Sequence, residues 1–238
     1  MRIVVITQAR MGSTRLPGKI MLPLLGEPML VHHLRRLQRA KRIDGLIVAT
    51  TDDVSSTPIV ELCDRLGIQS FRGSETDVLA RFHGAAEAAG ADLVVRVTSD
   101  CPLIDPALID AAIERVLDGA DYASVDIGSY PRGCDAEAFR RRVLDEAFLE
   151  AADPAEREHV TPFIYRRPER FRLDSVGGGD GAEFRLCVDE AADFRLIETL
   201  AASLASRGQD WGWRDCVALL RQHPDWAAIN RSVAQKKA

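Results

Sequence analysis

The chain has 238 residues, of which 46% are hydrophobic and 28% are charged, a composition typical of a soluble globular protein. No apolar stretch approaches the ~20 residues that span a bilayer and the first residues do not resemble a signal peptide, so the sequence predicts a cytosolic protein without membrane contact. The net charge of −5 gives no indication of nucleic-acid binding.

Apolar segments alternate with segments of helical periodicity through the first half of the chain. The apolar segments are nearly continuous, as in strands covered on both faces, and they predict strands at 2–6, 45–50, 68–71, 92–98 and 121–125. The periodic segments predict helices at 28–40, 57–67, 77–90 and 106–119. This alternation is typical of an α/β fold with a mostly parallel sheet and right-handed crossovers.

The second half is less regular. Its periodicity predicts helices at 136–152 and 154–167, the latter interrupted by Pro162, then a long helix at 191–208 and a shorter one near the end. Segments 170–176 and 183–189 read as a strand pair around a glycine-rich turn. Because no stretch of the sequence resembles a linker, we expect residues 1–238 to form a single domain.

The loop that follows the first predicted strand is "QARMGSTRLPGK", residues 8–19. It is close to a P-loop, but five residues rather than four separate its glycines, and Ile20 replaces the Ser or Thr that would bind magnesium. Its backbone amides at 11–13 and its cations Arg10, Arg15 and Lys19 nevertheless suit a triphosphate. A surface loop that is basic by coincidence is the alternative interpretation.

Basic residues are concentrated at the start of this acidic chain. Residues 1–42 contain nine Lys or Arg residues and one acidic residue, Glu27, which indicates one local anionic ligand. The cations between 35 and 42 are explained as the solvated end of the first predicted helix. That explanation does not extend to the three cations in the loop.

Two aspartates each follow an apolar predicted strand, Asp100 after 92–98 and Asp189 at the end of 183–189. If both strands end at the edge of the sheet that carries the basic loop, the two carboxylates would meet there. Two carboxylates, phosphate oxygens and waters are a usual way to hold Mg²⁺. The alternative is that each aspartate caps a helix. The pair together with the basic loop favours a metal site.

Six further motifs follow the opening loop in order along most of the chain: "IVATTDD" (47–53), "GSETDVLARF" (73–82), "RVTSDCPLID" (96–105), "YPRGCDAEAF" (130–139), "REHVTPFI" (157–164) and "CVDEAADF" (187–194). Together these motifs resemble the cytidylyltransferases that activate acidic sugars, and the opening loop resembles their N-terminal signature. The later motifs are most similar to the SpsF-like branch, which acts in spore coat polysaccharide biosynthesis. The family also includes CMP-Kdo and CMP-acylneuraminate synthetases.

This resemblance implies a GT-A-like, Rossmann-related nucleotidyltransferase fold with a mixed, mostly parallel sheet flanked by helices, and a homodimer. It implies a nucleotide-binding half at 1–125, an acceptor and dimerisation region at 126–190 and C-terminal helices at 191–238. It assigns Arg15, Lys19 and Asp100 to catalysis and Asp100 with Asp189 to Mg²⁺. It also assigns CTP binding to Ala9, Arg10, Met11, Gly12, Ser13, Arg15, Lys19, Ser74, Asp77 and Arg81, and the acceptor to Arg132, Asp135, Glu137 and His159.

The reaction that the resemblance implies is transfer of CMP from CTP to an acidic sugar, with release of pyrophosphate, for surface polysaccharide biosynthesis. Two alternatives remain open from the sequence. One is another nucleotidyltransferase, or a nucleotide-sugar glycosyltransferase, on the same fold. The other is a protein that binds the nucleotide without catalysis, although a pure binder has no need for both aspartates.

Overall fold

The computed structural model describes residues 1–208 and 210–234, so the last four residues of the predicted C-terminal region lie outside the described part. Its strands are β1 (Ile3–Gln8), β2 (Pro23–Leu24), β3 (Glu27–Pro28), β4 (Gly45–Thr51), β5 (Gln69–Gly73), β6 (Leu93–Thr98), β7 (Tyr122–Val125), β8 (Glu137–Arg140) and β9 (Leu173–Val176). Its helices are α1 (Met29–Leu37), α2 (Thr57–Leu66), α3 (Val78–Ala88), α4 (Pro106–Leu117), α5 (Arg141–Glu150), α6 (Pro154–His159), α7 (Pro162–Tyr165), α8 (Ala191–Leu204), α9 (Trp213–Gln222) and α10 (Pro224–Ala228). Of the helices in this part of the chain, none is both long and apolar enough to cross a bilayer.

Seven strands of the described chain form one sheet in the order β5-β4-β1-β6-β8-β7-β9. The first four are parallel, β8 is antiparallel to β6 and to β7, and β9 is parallel to β7. This confirms the mixed, mostly parallel sheet. After β1 the chain continues to β4 on one side, and it later returns to β6 on the other side of β1. The loops after β1 and β6 therefore lead away from each other and leave a crevice between them. Ligands bind in such a crevice at the carboxyl ends of strands.

Helices cover both faces of the sheet. Along β1, Val4 and Ile6 pack into a cluster with residues of α3 and α5, whereas Val5 packs into a cluster with residues of α4. A further apolar cluster joins α1, α2, α8 and α9. Burial on both faces explains why these strands are apolar at nearly every position. Each fully buried aliphatic side chain contributes about 1.5–3 kcal/mol through removal from water.

The predicted helix at 136–152 is wrong at its start. Residues Glu137–Arg140 form β8, which lies between β6 and β7, and α5 begins only at Arg141. Ala138 and Phe139 are fully buried in this position. A gap in the sheet that this segment fills therefore outweighs its local helical pattern, since strand propensity depends on packing against neighbours.

The predicted strand pair around the turn at 177–181 is also wrong. Only Leu173–Val176 becomes a strand, and it pairs with β7 in parallel. Segment 183–189 instead contacts the turn at Arg132, whose N–H donates to Phe184 O (3.1 Å) and whose carbonyl accepts from Leu186 N–H (2.6 Å). Asp189 thus follows an extended loop segment rather than a strand.

Arg36 corrects the interpretation of the basic residues 35–42 as a solvated helix end. It is 2% exposed, donates from Nε to Ile104 O (2.9 Å), and its guanidinium lies 3.7 Å from the ring centroid of Trp211. This cation holds α1 against the chain segment before α9. The other four residues lie at or near the surface, as expected.

Candidate active site

The loop after β1 is closed on itself at its neck. The carbonyl of Met11 accepts the N–H groups of Ser13 (2.9 Å) and Gly18 (3.0 Å). Gly18 has a φ of 68°, which a glycine adopts without steric cost, and the short 3-10 helix Lys19–Met21 starts there. Gly18 rather than Gly12 is therefore the loop glycine with a conformational requirement. The Ser13 amide, predicted to face phosphate, is used inside the loop here.

The Lys19 side chain lies between the two predicted metal ligands. Its Nζ donates to Asp100 Oδ2 (2.9 Å), to Asp189 Oδ1 (3.0 Å) and to the carbonyl of Val188 (2.6 Å). Asp100 follows β6 and Asp189 precedes α8, so segments that are distant in the sequence meet at one nitrogen atom. The loop and the two aspartates thus form one site at the crevice between β1 and β6.

Asp189 is surrounded by cations. Its Oδ2 lies 2.8 Å from Arg15 and accepts a hydrogen bond from Arg185 Nη2, while Oδ1 contacts Lys19. Arg15 also donates to Glu190 Oε1 (3.2 Å). These neighbours fix the orientation of the carboxylate without a bound ligand.

Neither aspartate serves as the helix cap that the alternative interpretation requires. The residue that caps α4 is Asp105, which accepts from Ala107 N–H at 2.8 Å. The residue at the N-terminus of α8 is Glu190, and the α8 backbone is capped by Asp193 rather than by Asp189. The carboxylates of Asp100 and Asp189 are therefore not committed to helix capping, and their partners are the cations of the site.

The charges of the site stabilise one another. Burial on its own would lower the pKa of Lys19, but Asp100 and Asp189 outweigh it and raise the pKa above its usual value. Burial would likewise raise the pKa of both aspartates, but Lys19 outweighs it and keeps both below the usual value. All three groups are therefore charged at neutral pH.

A cleft of about 540 Å³ opens over these residues, a volume in the range of small-ligand sites. Nine of the predicted site residues line it: Ala9, Arg10, Ser13, Arg15, Lys19, Arg81, Asp100, His159 and Asp189. Among the described residues, the other predicted site residues do not line this cleft. Met11 closes the neck of the loop, and Gly12 lies close to Glu75.

Two polar atoms at the cleft are buried without a hydrogen-bond partner in the described chain, Gln8 Oε1 and Arg81 Nε. Buried polar groups are nearly always paired, so such atoms need an explanation. Both residues line the cleft, so part of its wall consists of polar groups that the described protein leaves unpaired.

Ser74 and Asp77 lie next to the cleft and stabilise the segments that line it. Ser74 Oγ accepts the N–H of Asp77 (3.0 Å), and the Ser74 carbonyl accepts from Arg81. Asp77 caps α3 by accepting from Ala80 N–H (2.9 Å) and pairs with Arg157 of α6. Both residues hold the edge of the cleft instead of lining it.

Three predicted acceptor residues lie away from the lining. Glu137 is fully engaged, because it accepts from Arg96, from the hydroxyl of Tyr122 (2.5 Å) and from Thr161 Oγ1 (2.7 Å). Arg132 and Asp135 belong to the turn before β8, and burial raises the pKa of Asp135.

Several lining residues were missed by the sequence reasoning. Most lie at or just after the carboxyl ends of parallel strands or adjoin a predicted residue, and they are Gln8, Thr14, Ile20, Glu75, Thr76, Val78, Thr98, Ser99 and Glu158. The rule that ligands bind at carboxyl strand ends applied to these positions as well as to Asp100. Arg185 carried a weaker signal, its position four residues before Asp189.

The donor set at the site fits Mg²⁺. The two carboxylates and the carbonyl of Val188 are hard oxygen ligands within about 3 Å of one point. The described residues contain no cluster of three or more His, Cys, Asp or Glu side chains suited to a metal. Mg²⁺ commonly keeps several waters and takes only one or two carboxylates, so this smaller set is sufficient. Lys19 would have to turn away to admit it.

Comparisons with known proteins agree with this geometry. Residues 4–200 match the sequence profile of the cytidylyltransferase family. The chain is 37% identical over 240 residues to an uncharacterised protein of Methanocaldococcus jannaschii, covering 99% of this chain and 97% of the relative. It is 34% identical over 234 residues to the spore coat polysaccharide biosynthesis protein SpsF of Bacillus subtilis, covering 94% and 96%.

Solved structures share the fold. A cytidylyltransferase from Leptospira borgpetersenii superposes with a TM-score of 0.90 at 28% identity over 100% of both chains. A CMP:2-keto-3-deoxy-manno-octonic acid synthetase, solved in complex with CTP, superposes with a TM-score of 0.67 at 19% identity, over 85% of this chain and 99% of the other. The chain therefore belongs to the cytidylyltransferase family and is a nucleotidyltransferase.

Proposed function

We propose that this protein is a magnesium-dependent cytidylyltransferase that transfers CMP from CTP to an acidic sugar and releases pyrophosphate. The observation that carries the proposal is the convergence of Asp100, Asp189 and Lys19 within hydrogen-bond distance at the crevice between β1 and β6. Because two carboxylates and a buried ammonium beside a basic loop suit a metal–triphosphate complex, they favour catalysis over simple nucleotide binding.

The triphosphate of CTP would lie over the loop after β1. Arg10, Arg15 and Lys19 line the cleft there and supply three positive charges. Arg15 now pairs with Asp189 and Glu190, and Lys19 with both aspartates, so each cation would exchange carboxylate partners for phosphate oxygens. CTP as the nucleotide is supported by the family and by the CTP complex of the related synthetase.

In the reaction, a hydroxyl of the acceptor attacks the α-phosphorus of CTP, the bond from this phosphorus to the oxygen that bridges it to the β-phosphorus breaks, and the hydroxyl proton passes to water. Asp100 and Asp189 would hold Mg²⁺, which when bound neutralises phosphate charge and orients the reacting oxygens. Lys19 and Arg15 stabilise the negative charge that develops on the departing pyrophosphate. The protein's contribution is chiefly positioning and preorganised charge.

The acceptor would bind at the end of the cleft formed by α3 and α6. His159 lines that end and provides a hydrogen-bonding group for a carboxylate or hydroxyl of the sugar, whereas Arg81 lines the same cleft as a predicted CTP residue. Arg132 and Asp135 stay predicted acceptor residues. Glu137 suits a supporting role, since it holds Thr161, two residues from His159. The similarity to SpsF supports a role in surface polysaccharide biosynthesis.

The experiment that tests this function has two stages. Thermal unfolding with Mg²⁺ should show that CTP raises the melting temperature and that UTP and GTP do not. A pyrophosphate-release screen with CTP and Mg²⁺ against acidic sugars and sugar phosphates should then identify the acceptor. Equal stabilisation by UTP or GTP would indicate a different nucleotidyltransferase, and CTP binding without turnover on any acceptor would indicate a pure binder.

The homodimer belongs to the same proposal and rests on the family resemblance. Light scattering coupled to size-exclusion chromatography tests it directly. A mass near twice the 26.2 kDa of one chain is expected, and a mass near one chain would contradict it.

A further inference from the structure

A buried carboxylate, Asp193, lies behind the proposed metal ligand Asp189. Its side chain is 0% exposed, and its two oxygens accept four hydrogen bonds. The donors are the N–H groups of Asp189 (2.9 Å) and Glu190 (3.0 Å), Arg185 Nε (3.0 Å) and Asn230 Nδ2 (2.9 Å). A buried carboxylate this well satisfied has one fixed orientation.

This arrangement exceeds what helix capping requires. The bond from Glu190 N–H to Asp193 belongs to the capping box of α8. The bond from Asp189 N–H fixes the backbone of the metal ligand itself. The bond from Arg185 orients a guanidinium whose other end holds Asp189 Oδ2. Asp193 thus acts on Asp189 twice, through its backbone and through Arg185.

The fourth donor comes from the C-terminal segment of the chain. Asn230 follows α10, is 4% exposed, and donates from Nδ2 to Asp193 Oδ1 and to the carbonyl of Arg185 (3.0 Å). Four residues later, the carbonyl of Ala234 accepts from Arg15 Nη1 (3.2 Å). The segment 230–234 therefore contacts three residues that themselves contact Asp189, namely Asp193, Arg185 and Arg15.

We infer that Asp193 and Asn230 are positioning residues that hold Asp189 in its metal-binding orientation, which makes the C-terminal segment part of the active site. This inference rests on the proposed role of Asp189 as a metal ligand. Residues that orient metal ligands typically affect metal affinity or activity by about 10–100-fold when they are mutated. Asn230 is the better test position, because its removal leaves the α8 capping box intact.

The test measures Mn²⁺ binding to the full chain by electron paramagnetic resonance, together with the Mg²⁺ dependence of turnover. Asn230→Ala should weaken Mn²⁺ binding about 10-fold and raise the Mg²⁺ concentration for half-maximal rate, with a smaller loss of kcat at saturating Mg²⁺. Asn230→Asp should have a larger effect, because it places a carboxylate against Asp193. Leu219→Ala, a core substitution on α9, controls for lost stability and should leave Mn²⁺ binding unchanged.

The outcomes separate the two proposals. If Asp189→Asn weakens Mn²⁺ binding and Asn230→Ala does not, the positioning inference is wrong and the metal site stands. If Leu219→Ala weakens Mn²⁺ binding as much as Asn230→Ala does at the same loss of melting temperature, the effect is general and the inference is again wrong. Mn²⁺ binding that Asp189→Asn leaves unchanged would overturn the metal site, and the inference with it.

Discussion

The ammonium of Lys19 occupies the point between Asp100 and Asp189 where a divalent cation would lie. At the proposed metal site, lysine and metal would therefore compete for the same carboxylates until phosphate oxygens offer the lysine a second partner. A cation that is already buried and charged beside the loop after β1 is suited to stabilise negative charge on the phosphates in the transition state once it is released to them.

Lys19→Met should lower the rate of nucleotidyl transfer by about 10²-fold or more, the scale of losing one preorganised electrostatic group. It should also leave two neighbouring carboxylates without their shared counter-charge. Mg²⁺ added without nucleotide should therefore raise the melting temperature of this variant more than that of the wild type, as differential thermal unfolding measures.

The exposed Lys41 provides the matched control for this substitution. Lys41→Met removes the same charge outside the cleft and should leave both the rate and the response to Mg²⁺ unchanged. Near-wild-type turnover of Lys19→Met would refute its catalytic assignment, and an unchanged Mg²⁺ response would refute the competition.

His33 on α1 is a titratable residue that is fully buried. Its Nδ1 donates to the carbonyl of Cys101 (2.9 Å), so in the neutral ring Nε2 accepts from the hydroxyl of Thr7 (2.9 Å). Burial lowers the pKa of His33 to about 4, although the Cys101 carbonyl and the charge of Asp100 act in the opposite direction. The fold thus requires the uncharged histidine.

This depressed pKa makes stability depend on pH. His33 binds a proton near pH 6.5 in the unfolded chain and only near pH 4 in the folded chain. Its contribution to stability is therefore fully present above pH 6.5 and is lost as the pH falls toward 4. The loss from this group is about 3 kcal/mol, the equivalent of the pKa difference. Urea unfolding at pH 7 and pH 4.5 should show a smaller loss for His33→Gln than for the wild type. Equal losses would contradict the prediction.

At the scale of elements, α6 and α7 meet in a strained γ-turn. Val160 has φ 72° and ψ −55°, and the N–H of Thr161 donates to the carbonyl of His159 (2.9 Å). A β-branched residue rarely adopts this conformation, which costs about 1–3 kcal/mol. The turn places His159 in the cleft and Thr161 on Glu137, so the strain lies at the proposed acceptor end.

Substitutions of Val160 should reverse the usual order of stability. Val160→Gly should be more stable than Val160→Ala by about 1 kcal/mol, because glycine adopts a positive φ without steric cost and alanine does not. Freed from this constraint, His159 should position the acceptor less well, so Val160→Gly should have the lower kcat/KM for the acceptor. Urea unfolding and steady-state kinetics measure the two effects.

A Val160→Ala variant that is the more stable of the two would show that the turn is not strained. Equal kcat/KM values for both variants would show that the strain does not serve His159.

Local pattern predicted the elements of the first half of the chain well. The strands β1 and β4 to β7 and the helices α1 to α4 lie within a few residues of their predicted bounds, because burial makes each one periodic or continuously apolar, whereas the two-residue strands β2 and β3 were not predicted. The predictions for β8 and for segment 183–189 were wrong, because pairing with the sheet and with the turn at Arg132 determines the conformations of these two segments. Partners that are distant in the sequence leave no local signal.

At the scale of the whole molecule, the convergence of the central residues of the candidate site could be predicted, and the buried polar residues that hold the surrounding structure could not. Lys19, Asp100 and Asp189 were found because each follows a feature visible in the sequence, a basic loop or an apolar segment. Arg36, Asp193 and Asn230 are buried polar residues whose partners only the fold supplies. The division into 1–125, 126–190 and 191–238 stays a prediction.

The cleft is lined by segments from distant parts of the chain. They are the loop after β1, the end of β6, the first turns of α3, the end of α6 and the segment before α8. Its lining mixes cations with carboxylates, among them Glu75, Glu158 and the two metal-binding candidates. Such a lining suits a metal–nucleotide complex and a polar acceptor better than an apolar ligand.

The most direct test of the central claim is ³¹P NMR of the wild-type protein with CTP, Mg²⁺ and the acceptor found in the screen. Attack at the α-phosphorus predicts a new phosphodiester signal and pyrophosphate in equal amounts, with neither formed by Asp100→Asn at a temperature at which that variant is fully folded. Orthophosphate and CDP in place of these products, or full activity of Asp100→Asn, would contradict cytidylyl transfer at this site.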